Sequence, residues 1–198
     1  MVPEKYYLEW KEEVANPYEH KLDFHLSRIC SKQRFLQLIH DFIVFDAGVK
    51  KTCRHNQYFG IQAAKHYIAK RQGGIIWHTQ GSGKSLTMVW LAKWIRENVT
   101  DSRVLIVTDR TELDEQIEKV FTGVEEDIYR TTSGADLIGT LNQPNPWLVC
   151  SLVHKFGRQS DAESDAATDE FIAELRKSLP SDFKAKGDLF VFVDECHR

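Results

Sequence analysis

The stretch His78-Thr79-Gln80-Gly81-Ser82-Gly83-Lys84-Ser85 constrains this chain more than any other. It follows the apolar run Gly74-Ile75-Ile76-Trp77 and leads into Leu86-Thr87-Met88-Val89-Trp90-Leu91-Ala92-Lys93-Trp94-Ile95. This order predicts strand, glycine-rich loop and helix. Gly81 and Gly83 let the backbone turn closely and aim several N–H groups at one anion. The N-terminus of the following helix adds partial positive charge. Lys84 has the reach for β/γ-phosphates, and the Ser85 hydroxyl suits Mg²⁺. The spacing fits the phosphate-loop pattern G-x-x-x-x-G-K-[ST] except at its first position, where His78 replaces glycine. The bland alternative is a Gly/Ser turn before a buried helix.

The apolar segments that follow share one character. Arg103-Val104-Leu105-Ile106-Val107, Trp147-Leu148-Val149-Cys150 and Leu189-Phe190-Val191-Phe192-Val193 are continuous runs without polar alternation. Such strands belong in a parallel sheet covered on both faces. A shorter strand is expected at Ile128–Thr131. Helices are expected between the strands. Thr111 with Asp114 resembles a capping box, and Ser133 with Asp136 starts a helix carrying Leu137, Ile138 and Leu141. Residues 157–169 read as a surface loop, followed by a helix with Phe171, Ile172 and Leu175. Upstream, residues 1–27 suggest a short helix and an irregular connection. A helix opened by Ser31 should end at Asp46-Ala47-Gly48, and another should run from about Gln57 to Arg71 and stop at Gly73-Gly74. Trp90 and Trp94, four apart, read as core.

A parallel sheet of this kind places ligands at the carboxyl ends of its strands. His78 follows one such end and Asp194-Glu195 another, so the two motifs are expected to converge. An aspartate there can hold Mg²⁺, and an adjacent carboxylate can orient an attacking water.

Composition sets outer bounds. The 198 residues suit one α/β domain with an N-terminal extension, and 42% hydrophobic with 28% charged residues is ordinary for a globular protein. No apolar run approaches a membrane span, and the N-terminus lacks a signal-peptide pattern. The four cysteines, Cys30, Cys53, Cys150 and Cys196, form no C-x-x-C and read as reduced cytoplasmic thiols. A net charge of −3 does not by itself indicate a nucleic-acid partner. Between Arg28 and Arg71, however, nine basic residues (Arg28, Lys32, Arg34, Lys50, Lys51, Arg54, Lys65, Lys70, Arg71) face only Asp41 and Asp46. That segment reads equally as a polyanion-facing surface or as solvated helix faces.

Asp194-Glu195-Cys196-His197 resembles the D-E-x-H box of superfamily 2 helicases and translocases. The run Gly73–Met88 is more specific: it resembles the motor of the restriction (R) subunit of type I restriction–modification enzymes, where histidine is typical at the His78 position. Val107–Gln116, Arg34-Phe35-Leu36 and Asp41–Phe45 are similar to further motifs of that subunit, and the order of motifs agrees from about Arg34 to Arg198. The resemblance implies a RecA-like P-loop fold, a three-layer parallel sheet with helices on both faces. Residues 1–52 would be a helical linker and residues 53–198 the first RecA-like ATPase lobe, ending after the D-E-x-H box.

By the same resemblance, ATP and Mg²⁺ are the cofactors. Lys84, Asp194 and Glu195 would be catalytic, and Ser85 and Asp194 would hold the metal. His78, Thr79, Gln80, Gly81, Ser82, Gly83, Lys84 and Ser85 would cradle phosphates, with Gln57 reading the adenine edge through its paired donor and acceptor. Thr108, Arg110, Thr132 and Ser133 resemble contacts to the DNA backbone, although ordinary helix caps would use the same residues. Implied partners are double-stranded DNA and the methylation and specificity subunits, with no membrane. ATP hydrolysis would drive DNA translocation before cleavage by a nuclease domain, which this chain does not hold. Without the second motor lobe, weak Mg·ATP binding and slow turnover are expected. Two alternatives stay open: another superfamily 2 DNA motor, and a catalytically idle nucleotide- or DNA-binding module.

Overall fold

The computed structural model describes residues 10–12, 20–108, 111–152, 179–181 and 183–194, with the backbone alone at 21 and 111–114. The chain divides into two compact units, Met1–Leu91 and Ala92–Arg198.

The first unit holds helices α1 (Lys21–Ile29) and α2 (Lys32–Asp41), strands β1 (Ile43–Asp46) and β2 (Val49–Thr52), helix α3 (His55–Ala69) and the start of helix α4 (Lys84–Asn98). Its buried side chains include Phe24, Phe42, Val44, Tyr58, Ile61, Val89 and Trp90. The Phe42 ring lies 5.2 Å from Tyr58 and 6.2 Å from Trp90. The core reading of Trp90 is correct.

Four expectations for this unit change. The helix opened by Ser31 ends at Asp41, not at Asp46-Ala47-Gly48. Those residues instead turn an antiparallel hairpin, with Phe45 opposite Lys50 and Asp46 opposite Val49. Ala47 (φ 48°) and Gly48 (φ 79°) both have positive φ, the tight hairpin geometry whose twist matches that of the strands. Ser31 does not cap α2 through its side chain; its hydroxyl donates to the Arg28 carbonyl at 3.0 Å. Helix α3 stops before Gly73-Gly74, because Arg71 takes the left-handed conformation (φ 55°). The Gln72 N–H then returns to Tyr67 O and the Arg71 N–H to Ile68 O, satisfying the last carbonyls.

The opening strand expected at Gly74–Trp77 does not form. Residues 73–79 have no regular structure, and Ile75 and Trp77 are 77% and 83% exposed. A strand exists only through a ladder partner, and an apolar run cannot supply its own. The expected helix after the loop forms, but it begins at Lys84, two residues before Leu86.

The second unit is built on a four-stranded parallel sheet. Its strands are β3 (Ser102–Thr108), β4 (Tyr129–Arg130), β5 (Leu148–Leu152) and β6 (Asp188–Val193), in spatial order β4-β5-β3-β6. Helices α5 (Thr111–Gly123) and α6 (Gly134–Leu141) connect them. In register, Val104 meets Leu148 and Phe190, and Ile106 meets Cys150 and Phe192. All five residues of β5 are buried, so both its faces are covered. Leu105 and Val149 pack with Leu137 of α6, flanked by Val107, Leu141 and Leu189. β6 is the edge among the described strands, with Val191 and Val193 about half exposed. The expected parallel α/β sheet is correct. The surface loop and helix read over residues 157–175 lie outside the described residues.

Arg103 ties this unit together. It points into the sheet's amino end, 1% exposed, and donates to the carbonyls of Thr140, Leu141, Gln143, Pro146 and Lys186. Two of those carbonyls end α6, whose partial negative charge suits a guanidinium. Burial draws the Arg103 pKa below its usual value.

Candidate nucleotide-binding site

Gly81 (φ 76°) and Gly83 (φ 87°) both adopt the left-handed conformation, which a side chain would resist. A Cβ on Gly81 would meet nothing within 4 Å, so the loop is open there. The Ser82 N–H returns to Thr79 O at 3.2 Å, which closes the turn. The Ser82 hydroxyl is buried without a partner among the described residues. Lys84 and Ser85, both half-buried, are the first two residues of α4, where unbonded N–H groups collect. Thr79, Gln80 and Gly81 are exposed.

The loop is held from α3. The Arg54 N–H donates to Gln57 Oε1 at 2.8 Å, and Gln57 Nε2 donates to Gly83 O at 2.9 Å. The same carbonyl accepts from the Thr87 N–H at 3.1 Å and the Thr87 hydroxyl at 3.2 Å. Arg54 Nη1 reaches Gly81 O at 3.4 Å. At the loop's entry His78 is half-buried against Gly60: a Cβ there would stand 3.5 Å from His78 Nε2. The sequence by itself assigns no role at the loop to Arg54, Gly60 or Thr87. The only written signal was a glycine in the middle of a helix at 60.

These residues fit a phosphate group. Two left-handed glycines, an open turn, an orphaned buried hydroxyl and a helix start with a lysine converge on one place.

In the second unit, Asp194 directly follows β6, is 9% exposed, and donates its N–H to Val107 O at 3.0 Å. Thr108 ends β3 on the neighbouring strand, paired with Leu152. It is fully buried, with its hydroxyl unpartnered among the described residues. Thr131 donates to the Ser151 hydroxyl at 2.7 Å, both buried. Thr132 and Ser133 are exposed and serve the start of α6. The Asp136 N–H donates to Ser133 Oγ at 3.1 Å, while the Thr132 N–H and hydroxyl donate to Asp136 Oδ2 at 2.7 and 3.0 Å. The structure thus groups Gln57 with the loop, and Asp194 with Thr108 at one end of the sheet. Glu195 and Arg110 lie outside the described residues. Among the basic residues of 28–71, Arg34, Lys51 and Lys65 pair with Glu12, Asp46 and Asp41. No cluster of three metal-ligating side chains occurs among the described residues. No described helix is long and apolar enough to cross a membrane.

Comparison with known proteins gives the family of the chain. The chain is 29% identical over 93% of its length to a putative type I restriction enzyme endonuclease subunit of Methanocaldococcus jannaschii, of which it covers 17%. It is 28% identical over 76% of its length to such a subunit of Staphylococcus saprophyticus, covering 15% of that protein. It is 27% identical over 58% of its length to the corresponding subunit of Haemophilus influenzae, covering 12%. The chain therefore spans less than a fifth of each of these relatives. The family model described as SWI2/SNF2 ATPase matches residues 56–198, from the start of α3 through the phosphate loop and the whole sheet. With its RecA-like α/β sheet, its left-handed glycine loop and its helicase-like similarity to restriction subunits, this chain belongs to the SWI2/SNF2 ATPase family.

Proposed function

We propose that the chain is the ATP-binding part of a DNA-translocating motor from the endonuclease subunit of a type I restriction enzyme. The observation that carries this reading is the phosphate-fitting loop 78–85 held against α3, within a segment matched to an ATPase family. The similarity to restriction endonuclease subunits supports the choice of motor.

In this reading N–H groups of the loop 79–85 other than that of Ser82, which bonds to Thr79 O, together with the start of α4 bind phosphate oxygens, and Lys84 adds a full charge to β/γ-phosphates. Gln57 has one N–H and one carbonyl lone pair left beyond its bonds to Gly83 and Arg54, enough to read an adenine edge. Ser85 and Asp194 would hold Mg²⁺, which when bound neutralises phosphate charge. Glu195 would take a proton from water. Arg110, Thr132 and Ser133 would meet the DNA backbone, with the basic segment 28–71 adding sequence-independent attraction; Thr108, fully buried at the end of β3, would act only from beneath that surface. Methylation and specificity subunits would complete a cytoplasmic complex, in which duplex DNA is moved and then cut by a nuclease domain.

A titration of Mg·ATP into the chain and into Lys84→Ala tests the central claim. Saturable binding that drops at least tenfold in Lys84→Ala is expected. Equal binding by both, or none by either, would remove the nucleotide site and leave an interaction role.

A further inference from the structure

We propose that His78 is a positioning residue of the phosphate loop and that Gly60 of α3 is the seat it requires. The proposal rests on reading residues 78–85 as a nucleotide-phosphate loop.

Residues 73–79 have no ladder partner among the described residues, and Ile75 and Trp77 are exposed. The backbone ahead of the loop therefore does not determine where the loop begins. Side chains do. A Cβ on Gly60 would stand 3.5 Å from His78 Nε2, 3.8 Å from His78 Cε1 and 3.6 Å from Ile76 Cγ2. Imidazole and Ile76 already line the bare face of the helix at that point. A methyl would just reach contact, and anything longer must displace the ring. Glycine is otherwise the poorest ordinary residue for a helix interior, so position 60 is costly to α3 unless something packs on it.

The placement along α3 extends the argument. Arg54, Gln57 and Gly60 recur every three residues and so lie along one side of the helix. They touch Gly81, Gly83 and His78 respectively. One side of α3 thus grips the loop at its entry, middle and exit. A loop held at both ends loses little freedom when a phosphate arrives, and that preorganisation appears as affinity. His78 Nδ1 is buried without a partner among the described residues, so packing rather than a hydrogen bond holds the ring. The histidine supplies by shape the constraint that the missing first glycine cannot.

The test is a double-mutant cycle on Gly60→Leu and His78→Gly, read by titrating a fluorescent ATP analogue with Mg²⁺ and by hydrogen exchange of amides 79–85. Gly60→Leu should weaken binding about tenfold beside His78 and less than about twofold in the His78→Gly background. His78→Gly alone should speed exchange in the loop, and His78→Phe should restore most of the protection. Equal factors in both backgrounds, or unchanged exchange in His78→Gly, would overturn the proposal. If Gly60→Leu does not fold, the His78→Gly and His78→Phe exchange pair decides. If the unsubstituted chain binds no analogue, or binds it equally in Lys84→Ala, the nucleotide reading fails by itself; exchange still decides whether His78 holds the loop.

Discussion

The Gln57 amide spans 26 residues of chain to reach the Gly83 carbonyl at 2.9 Å, and it is only 2% exposed. One side chain thereby links the start of α3 to the last residue before α4. A Cβ on Gly83 would stand 2.6 Å from Gln57 Nε2, so the contact leaves no room for any other residue at 83.

Gln57→Ala should therefore cost about 1–3 kcal/mol, the usual cost of breaking a buried hydrogen-bonded contact. It should also weaken Mg·ATP binding. Gly83→Ala should cost stability as well as binding, since it adds both a collision and left-handed strain at φ 87°. Urea unfolding and nucleotide titration measure the two effects separately. A Gln57→Ala midpoint within error of the parent would show that the contact contributes nothing.

Arg103 carries a different kind of risk. Its six hydrogen bonds all go to backbone carbonyls, and none to a carboxylate. Arg103→Met removes every donor at once and should destabilise by about 2–4 kcal/mol. Arg103→Lys should lose most of that too, because a single ammonium cannot match the planar fork. Gly187, at φ 79°, would place a Cβ 2.6 Å from Asp101 O and 3.0 Å from Arg103 Cγ. Gly187→Ala is accordingly expected to lower the unfolding midpoint as well. Midpoints from thermal or urea unfolding check all three.

Acid should weaken the second unit at a defined place. The Thr132 N–H, first, holds the Asp136 carboxyl below its ordinary value of 3.8; partial burial opposes this, and the Tyr129 and Thr132 hydroxyls reinforce it. A carboxyl depressed in the folded state stabilises fully above its unfolded pKa and loses that contribution as pH falls through the folded one. Glu12, depressed by its hydrogen bonds from Arg34, follows the same sign in the first unit. Asp136→Asn should thus be less stable than the parent near neutral pH, and the difference should shrink below about pH 4. A difference that stays constant from pH 7 to 3 would contradict the assignment.

The cysteines should separate by chemistry. Cys30 is exposed, Cys150 is 1% exposed, and burial pushes the Cys53 thiol up to about 12. At pH 8 roughly one Cys53 in ten thousand would be the reactive thiolate. Native-state alkylation followed by peptide mass analysis should label Cys30 well before Cys53 or Cys150. Early labelling of Cys53 would mean that its surroundings open readily.

Much of the architecture was legible in the linear chain. The three apolar runs at 103–107, 147–150 and 189–193 contain no polar alternation, which points to a parallel sheet, and β3 pairs in parallel with both β5 and β6; β5 is buried on both faces, whereas β6 leaves Val191 and Val193 half exposed. Ser133 with Asp136 announced the start of α6 because a hydroxyl three residues before an N–H closes a local ring without help from the rest of the fold. Where the sequence misled, the deciding partner was distant or the local signal ambiguous. Asp46-Ala47-Gly48 can end a helix or turn a hairpin, and the pairing of Ile43–Asp46 with Val49–Thr52 decides. Gly74–Trp77 has a strand's composition but no ladder among the described residues.

The sequence alone determined the chemistry of the loop, because two glycines, a lysine and a hydroxyl at fixed spacing can turn, donate and charge in few other ways. It also pointed to burial of the runs at 103–107 and 147–150, since exposing apolar surface to water costs free energy. Tertiary structure decided what those residues touch. That Gln57 bonds to Gly83, that His78 lies on Gly60 and that Arg103 gathers carbonyls from two distant stretches are matters of proximity between residues far apart in the chain. No local spacing encodes such contacts; they follow only once the helices and strands have packed.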